Sequence, residues 1–164
     1  MQIQRPRLIF SSIFAVVFAL PVTAIAADHL VHGCFERSYP AIYLNEHPGQ
    51  SVHHLTLRLY LPNPQNPDVY FGIRVKLSGH SQVWNAGGPC HALGEVWRCQ
   101  PDTDGASELI VKADGSGARL ENPGKLEVFD DKTGPGLNTR NLGGAAERVF
   151  LLRTASLRAC SPKR

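Results

Sequence analysis

The segment SVHHLTLRLYL at residues 51–61 alternates polar and apolar side chains with a period of two. Such alternation is typical of a β-strand that has one face in a core and the other in water. The side chains on the apolar face are His53, Leu55, Leu57, Leu59 and Leu61. Because His53 is in line with four leucines, we expect it to be a buried or rim histidine whose ring nitrogens are hydrogen-bonded.

A second strand is predicted at residues 71–77, FGIRVKL, which show the same alternation. The stretch PNPQNP at residues 62–67 separates the two segments. Because proline has no backbone N–H to donate within a sheet, this stretch is predicted to be a stiff loop between two antiparallel strands.

Short strand-like runs continue along the chain, separated by turns rich in glycine, proline and aspartate. They lie at residues 31–38, 95–100, 108–113, 118–121, 126–130 and 148–154. Helical spacing occurs at residues 39–47, before Pro48 and Gly49. We therefore predict a single all-β domain, an antiparallel sandwich or barrel of about eight short strands with one short helix and two disulfides.

One long segment lacks the alternation. Residues 133–146 contain glycine, asparagine and threonine but few apolar residues beyond Leu137 and Leu142. Because apolar residues are few, we predict an exposed loop there. Loops of this length are commonly mobile or functional.

Residues 1–26 have the parts of a secretory signal peptide. Arg5 and Arg7 precede an apolar run at residues 8–20, and the small-residue sequence AIA ends the segment. We expect cleavage there, so that the mature protein is one β-rich domain at residues 27–164, located in the periplasm or secreted. No later run approaches the roughly 20 apolar residues of a membrane helix, so no membrane span is expected after cleavage.

Residues 1–26 account for most of the net positive charge of the chain. Loss of Arg5 and Arg7 lowers the formal net charge from +3 to about +1. The remaining charges alternate in sign along the chain, whereas nucleic-acid binding needs a basic stripe or patch. A nucleic-acid partner is therefore not expected.

The chain has four cysteines, Cys34, Cys90, Cys99 and Cys160. An even number in an exported chain indicates two disulfides, and three pairings are open. We favour Cys90 with Cys99 as a local clip, and Cys34 with Cys160 as a tie between the first strand and the last.

Two motifs are candidates for nucleophilic catalysis. His32-Gly33-Cys34 resembles part of the Ser-His-Gly-Cys motif of L,D-transpeptidases, which implies a catalytic thiolate, but Val31 replaces the serine of the motif. Ser81 resembles the serine of a nucleophile elbow, but Val83 stands where that elbow needs glycine. We therefore favour a structural disulfide for Cys34 and predict no catalytic residue and no cofactor.

Metal ligation was considered for two groups of residues. Asp102-Thr103-Asp104-Gly105 resembles a fragment of a calcium loop, but Glu108 comes too early for the last ligand position. The histidines His29, His32, His47, His53, His54, His80 and His91 all lie in the first half of the mature chain. Their spacing does not suit chelation along a strand, since adjacent residues point to opposite faces, so no metal ligand is assigned.

Three segments resemble a group of small exported proteobacterial proteins of unassigned function. They are CFER at residues 34–37, NEHPGQSV at residues 45–52, and Cys99 followed by Asp104-Gly105. The resemblance implies export and a β-rich fold, and it supplies no activity or site residue.

We expect from the sequence a non-catalytic binding module, periplasmic or secreted, that uses one sheet face or residues 133–146. An envelope or secreted protein is the expected partner. The alternative is a periplasmic zinc- or copper-binding protein that uses the histidine-rich N-terminal half.

Overall fold

The computed structural model describes residues 30–65, 67–134, 136 and 138–161. The strands of these ranges are β1 Cys34–Ser38, β2 Val52–Tyr60, β3 Val69–Leu77, β4 Val83–Leu93, β5 Val96–Cys99, β6 Leu109–Asp114, β7 Gly117–Glu121, β8 Glu127–Asp130, β9 Thr139–Asn141 and β10 Val149–Thr154. A short helix, α1 Ala41–Glu46, and a 3₁₀ turn, Ala145–Glu147, complete the fold. The signal peptide predicted at residues 1–26 lies outside the described residues.

Eight of the strands form a closed antiparallel barrel in the order β3-β2-β1-β10-β7-β6-β5-β4, closed by pairing of β3 with β4. The predicted all-β antiparallel fold is confirmed, and of the two predicted architectures the chain adopts the barrel. β4 is long enough to have two partners on its outer edge. Its last residues pair with β5, while Trp84 and Asn85 pair with β8, which continues into β9.

Side chains fill the interior of the barrel. The largest of those that are fully buried are Trp84, Phe35, Phe71 and Phe150. Tyr43 and Leu44 of α1 pack against the same core. Each large apolar side chain that leaves water contributes about 1.5–3 kcal/mol, so this core is the main source of stability.

The prediction that His53 lies on the core face is wrong. A register irregularity between Val52 and His54 interrupts the pairing of β2 with β3. Val52 and Leu55 are therefore both fully buried, whereas His53 is exposed. A bulge adds one residue to a strand, and one added residue moves each later side chain to the other face.

The prediction of an exposed loop at residues 133–146 is also wrong in part. The segment contains β9, whose three residues pair with β8, and the start of the 3₁₀ turn. Leu142 is only 1% exposed, and its carbonyl oxygen accepts a hydrogen bond from Asn122 Nδ2. The buried Leu142 and the pairing of β9 with β8 thus hold this segment against the rest of the fold, although its composition is that of a loop.

The two disulfides join the pairs that the sequence favours. Cys34 is bonded to Cys160 with Cα atoms 5.9 Å apart, and Cys90 to Cys99 with Cα atoms 4.0 Å apart. They are compatible with an extracytoplasmic location. Within the described ranges, no helix has the length and apolar character needed to cross a membrane.

One ion-pair cluster on the outside of the barrel makes stability depend on pH. Glu121 Oε1 lies 2.8 Å from Lys112 Nζ and 2.7 Å from Arg119 Nε. The hydrogen bond from Lys112, followed by that from Arg119, lowers the pKa of Glu121 below its ordinary value of 4.5. The ionised pair therefore stabilises the fold above the ordinary pKa, and this contribution is lost as the pH falls through the lowered pKa.

We expect Glu121→Gln to remove this pH-dependent contribution, which is at most about 1 kcal/mol for a pair so near the surface. Urea unfolding of both proteins at neutral pH and in acid measures it. Their difference in unfolding free energy should be largest at neutral pH and should shrink in acid. Glu95→Gln, at an exposed turn, serves as the control. A difference that stays constant with pH would contradict this assignment.

Candidate binding groove on the outer face of the barrel

Apolar side chains fill the interior of the barrel, so a ligand would bind on the outside. A depression of about 380 Å³ crosses the outer face of β2, β3 and β4. We call it the outer groove. The residues that define it are Arg58, Tyr60, Gly72, Arg74, Asn85, Gly87, Phe129 and Cys160.

The floor of the outer groove is bare backbone. Gly72 of β3 and Gly87 of β4 are directly opposite in register. Neither residue has a side chain, so the backbone forms the floor here, and the Tyr60 ring lies beside it with Cε1 3.7 Å from where a Cβ atom of residue 72 would be. A Cβ atom at Gly87 would lie 3.2 Å from the carbonyl oxygen of Phe71, which leaves little room for a larger residue.

Aromatic rings border this floor on two sides. Tyr60, at the end of β2, has its ring centre 6.5 Å from that of Tyr70 on β3. Phe129 of β8 lines the opposite side and is half-buried. Rings in these positions offer apolar surface to a ligand that lies on the glycine floor.

Two guanidinium groups flank Gly72. Arg58 is its direct cross-strand partner on β2, and Arg74 lies two residues further along β3. The Arg58 guanidinium carbon is 5.3 Å from the centre of the Tyr60 ring. Arg58 Nε is buried and has no hydrogen-bond partner within the described part of the chain. Arg74 Nη1 donates to the carbonyl oxygen of Ser161 at 3.0 Å.

Residues 155–161 form the wall of the groove opposite β8, and we call them the C-terminal strap. The strap leaves β10 where the Ala155 N–H donates to the Cys34 carbonyl oxygen at 2.7 Å. The Cys34–Cys160 disulfide then holds it against the barrel. Thr56, on the outer face of β2, is only 3% exposed, and it lines the depressions on both sides of the strap. The disulfide therefore determines the position of one wall of the outer groove.

A second depression of about 480 Å³ adjoins the groove and shares Thr56 and Arg74 with it. Lys76 and Arg158 also line it, and neither is in an ion pair within the described ranges. Its two acids, Glu36 and Asp131, have neighbours of their own. These contacts are His54 Nε2 to Glu36 Oε2 at 3.5 Å and Asn85 Nδ2 to Asp131 Oδ1 at 2.8 Å. Arg58, Arg74, Lys76 and Arg158 are four cations against these two acids, so the lining of the two depressions has a formal charge of +2.

The histidines considered as metal ligands are scattered. Among the described residues, no group of three or more histidine, cysteine, aspartate or glutamate side chains could hold a metal ion. His47 stacks on Tyr43 with ring centres 4.0 Å apart, and His80 meets the edge of Trp84 at 6.1 Å. His29 lies outside the described residues. Asp102 and Asp104 belong to no such group either.

The two candidate nucleophiles are also placed by the structure. Cys34 is bonded to Cys160, so it offers no thiolate. Ser81 lines the second depression together with His54 and Glu36. Of these three, only His54 and Glu36 are in hydrogen-bonding distance of each other, so the described residues do not form a serine–histidine–acid arrangement.

Sequence reasoning missed the groove, although one signal was present. The outward-facing row of β3 contains Tyr70, Gly72, Arg74 and Lys76, so a glycine interrupts a row of large side chains. A glycine on the wet face of a strand indicates close approach by another group. Gly72 indicates a groove only together with Arg58 and Phe129. These residues are far from it in the sequence, and the pairing of the strands brings them beside it.

Comparison with known proteins finds no protein family, curated protein or solved structure that matches the chain.

Proposed function

We propose that the mature chain is a non-catalytic binding module, periplasmic or secreted, whose outer groove holds an acidic segment of another envelope or secreted protein. The observation that carries this proposal is the placement of two guanidinium groups beside one glycine floor. Arg58 is the cross-strand partner of Gly72, and Arg74 lies two residues further along β3. A guanidinium can donate paired N–H groups to a bound anion.

Carboxylates suit the guanidinium groups of this groove. A guanidinium is planar and donates paired N–H groups in the geometry of a carboxylate. Arg58 and Arg74 stand on either side of Gly72, so successive carboxylates of one peptide can meet both. Tyr60 and Phe129 offer apolar contact to the aliphatic parts of such a peptide. Without its first 26 residues the chain has a net charge of about +1, so general attraction of anions is weak and any preference must be local.

The experiment measures binding of a fluorescent oligoglutamate peptide to oxidised protein comprising residues 27–164. We expect Arg58→Gln and Arg74→Gln each to weaken binding about tenfold and the double variant about a hundredfold, since a hydrogen bond to a charged group contributes about 1.5–3 kcal/mol. Arg148→Gln is the matched control, because Arg148 is exposed and makes no ion pair within the described ranges.

The proposal fails if Arg148→Gln weakens binding as much as the double variant does, because that result would mean unspecific attraction by surface charge. It also fails if oligoglutamine binds as tightly as oligoglutamate. Melting curves of the variants check that each one is folded, so that a loss of binding can be assigned to the missing guanidinium group.

A further inference from the structure

β9 is the free edge of the sheet. Barrel closure gives every other strand of the described ranges a partner on both sides, whereas β9 pairs with β8 alone. All three side chains of β9 are exposed. Edge strands carry unpaired backbone groups that can template the addition of another strand.

The register shows which backbone groups of β9 are available. Asp130 N–H donates to the Asn138 carbonyl oxygen, and Leu142 N–H donates to that of Leu126. Positions 138 and 142 of the chain therefore face β8. Because bonded positions alternate in an antiparallel ladder, Arg140 also faces β8, and the N–H and C=O groups of Thr139 and Asn141 point away from it. No backbone hydrogen bond between the described residues uses these outward groups.

β9 has only some of the usual protections of an edge strand. It is three residues long and carries one charged residue, which limit strand addition, but its sequence Thr-Arg-Asn has no proline and its pairing with β8 has a regular register. Its one charged residue is Arg140, whose guanidinium lies 5.7 Å from the centre of the Trp84 ring. The central residue of this short, regular edge strand, Arg140, is therefore positively charged.

That charge decides between two kinds of occupant. If a second copy of the chain paired with this edge about a twofold axis at residue 140, which is the register that uses the outward groups of both Thr139 and Asn141, Arg140 would stand opposite Arg140 of the copy. Like charges directly opposite one another destabilise a strand pair. An acidic residue at the same position would instead form a favourable cross-strand pair.

We propose that the β9 edge accepts an extended segment of another protein as an added strand, with an acidic residue of that segment opposite Arg140. Backbone groups of Thr139 and Asn141 bind the added strand, and Arg140 selects its central side chain. This edge lies beyond Phe129, the groove residue that pairs with Thr139, and the proposal does not depend on the function proposed for the groove.

The test uses residues 27–164 and two synthetic peptides, acetyl-Thr-Val-Glu-Val-Thr-amide and the same peptide with a central lysine. Amide hydrogen exchange is measured by NMR at millimolar peptide. With the glutamate peptide we expect the amides of Thr139 and Asn141 to exchange about tenfold more slowly, while the Arg140 amide, already bonded to β8, is unchanged. The lysine peptide should protect the two amides much less.

Asn141→Pro supplies a variant that acts on the edge alone. It removes the outward N–H at position 141, which the β8–β9 ladder does not use, so protection of Thr139 should be lost. Asn141→Ala keeps that N–H and should keep the protection. If Asn141→Pro fails to fold, the alternating exchange pattern of the unaltered chain still decides the question.

Three results would overturn the proposal. They are an absence of protection at millimolar glutamate peptide, equal protection by both peptides, and a concentration-dependent dimer in sedimentation that protects the same amides without peptide. In Arg58→Gln/Arg74→Gln the protection should persist. Failure at the edge is therefore distinguishable from failure of the groove.

Discussion

Replacement of Cys34 and Cys160 by alanine should lower the free energy of unfolding by about 5 kcal/mol, the value for a 126-residue loop that is no longer closed in the unfolded chain. The same replacement of Cys90 and Cys99 should cost about 2.6 kcal/mol, since the loop spans 9 residues. Both figures are upper estimates from chain entropy, so the ranking of the two variants is the firmer expectation. Urea unfolding of the two double variants measures it.

The location of each disulfide supports the same ranking. Cys90 and Cys99 are paired residues of one hairpin, which the β4–β5 ladder already holds together. Cys160 belongs to the C-terminal strap, whose other backbone and side-chain ties to the barrel are few. A larger loss from the Cys90→Ala/Cys99→Ala variant would contradict this account.

Trp84→Ala should cost about 3–5 kcal/mol, the range for removing a large aromatic side chain from a packed core. Trp84 is the largest of the fully buried side chains, at 1% exposure. It stands where β4 pairs with both β3 and β8 and belongs to the buried core, so its loss leaves a cavity in that core. Thermal and urea unfolding of residues 27–164 give the size of the effect.

Trp84→Phe separates packing from hydrogen bonding. Trp84 Nε1 is buried without a hydrogen-bond partner in the described part of the chain, so phenylalanine removes no hydrogen bond between those residues. We expect this variant to lose less than half as much stability as Trp84→Ala, because only part of the ring volume is missing. Equal losses in the two variants would show that the indole N–H makes an essential bond.

Local patterns were sufficient to predict the fold class and eight of the ten strands in the described ranges, but not β9 or β4, the longest strand at 11 residues. The alternation in residues 51–61 and 71–77 appears as β2 and β3, because a strand between core and water needs apolar side chains at every second position. The disulfide partners followed from the distances of the cysteines along the chain. The choice between sandwich and barrel could not be predicted, since it depends on whether β3 meets β4.

The failures have a common physical cause, which is non-local pairing. His53 lies outside the core because a bulge in the pairing of β2 with β3 changes the register. No residue near it signals a bulge. β9 forms from three polar residues because β8 is adjacent to them in space. The outer groove combines Arg58 of β2, Phe129 of β8 and Cys160 of the strap, which are far apart in the sequence.

The claim that the outer groove binds acidic segments is tested most directly by NMR titration of isotope-labelled residues 27–164 with oligoglutamate. We expect the largest amide shifts at Arg58, Gly72, Arg74 and Gly87, which are adjacent in the β2–β3–β4 register. Shifts spread over all surface cations, or confined to the opposite wall of the barrel at β6 and β7, would contradict the claim.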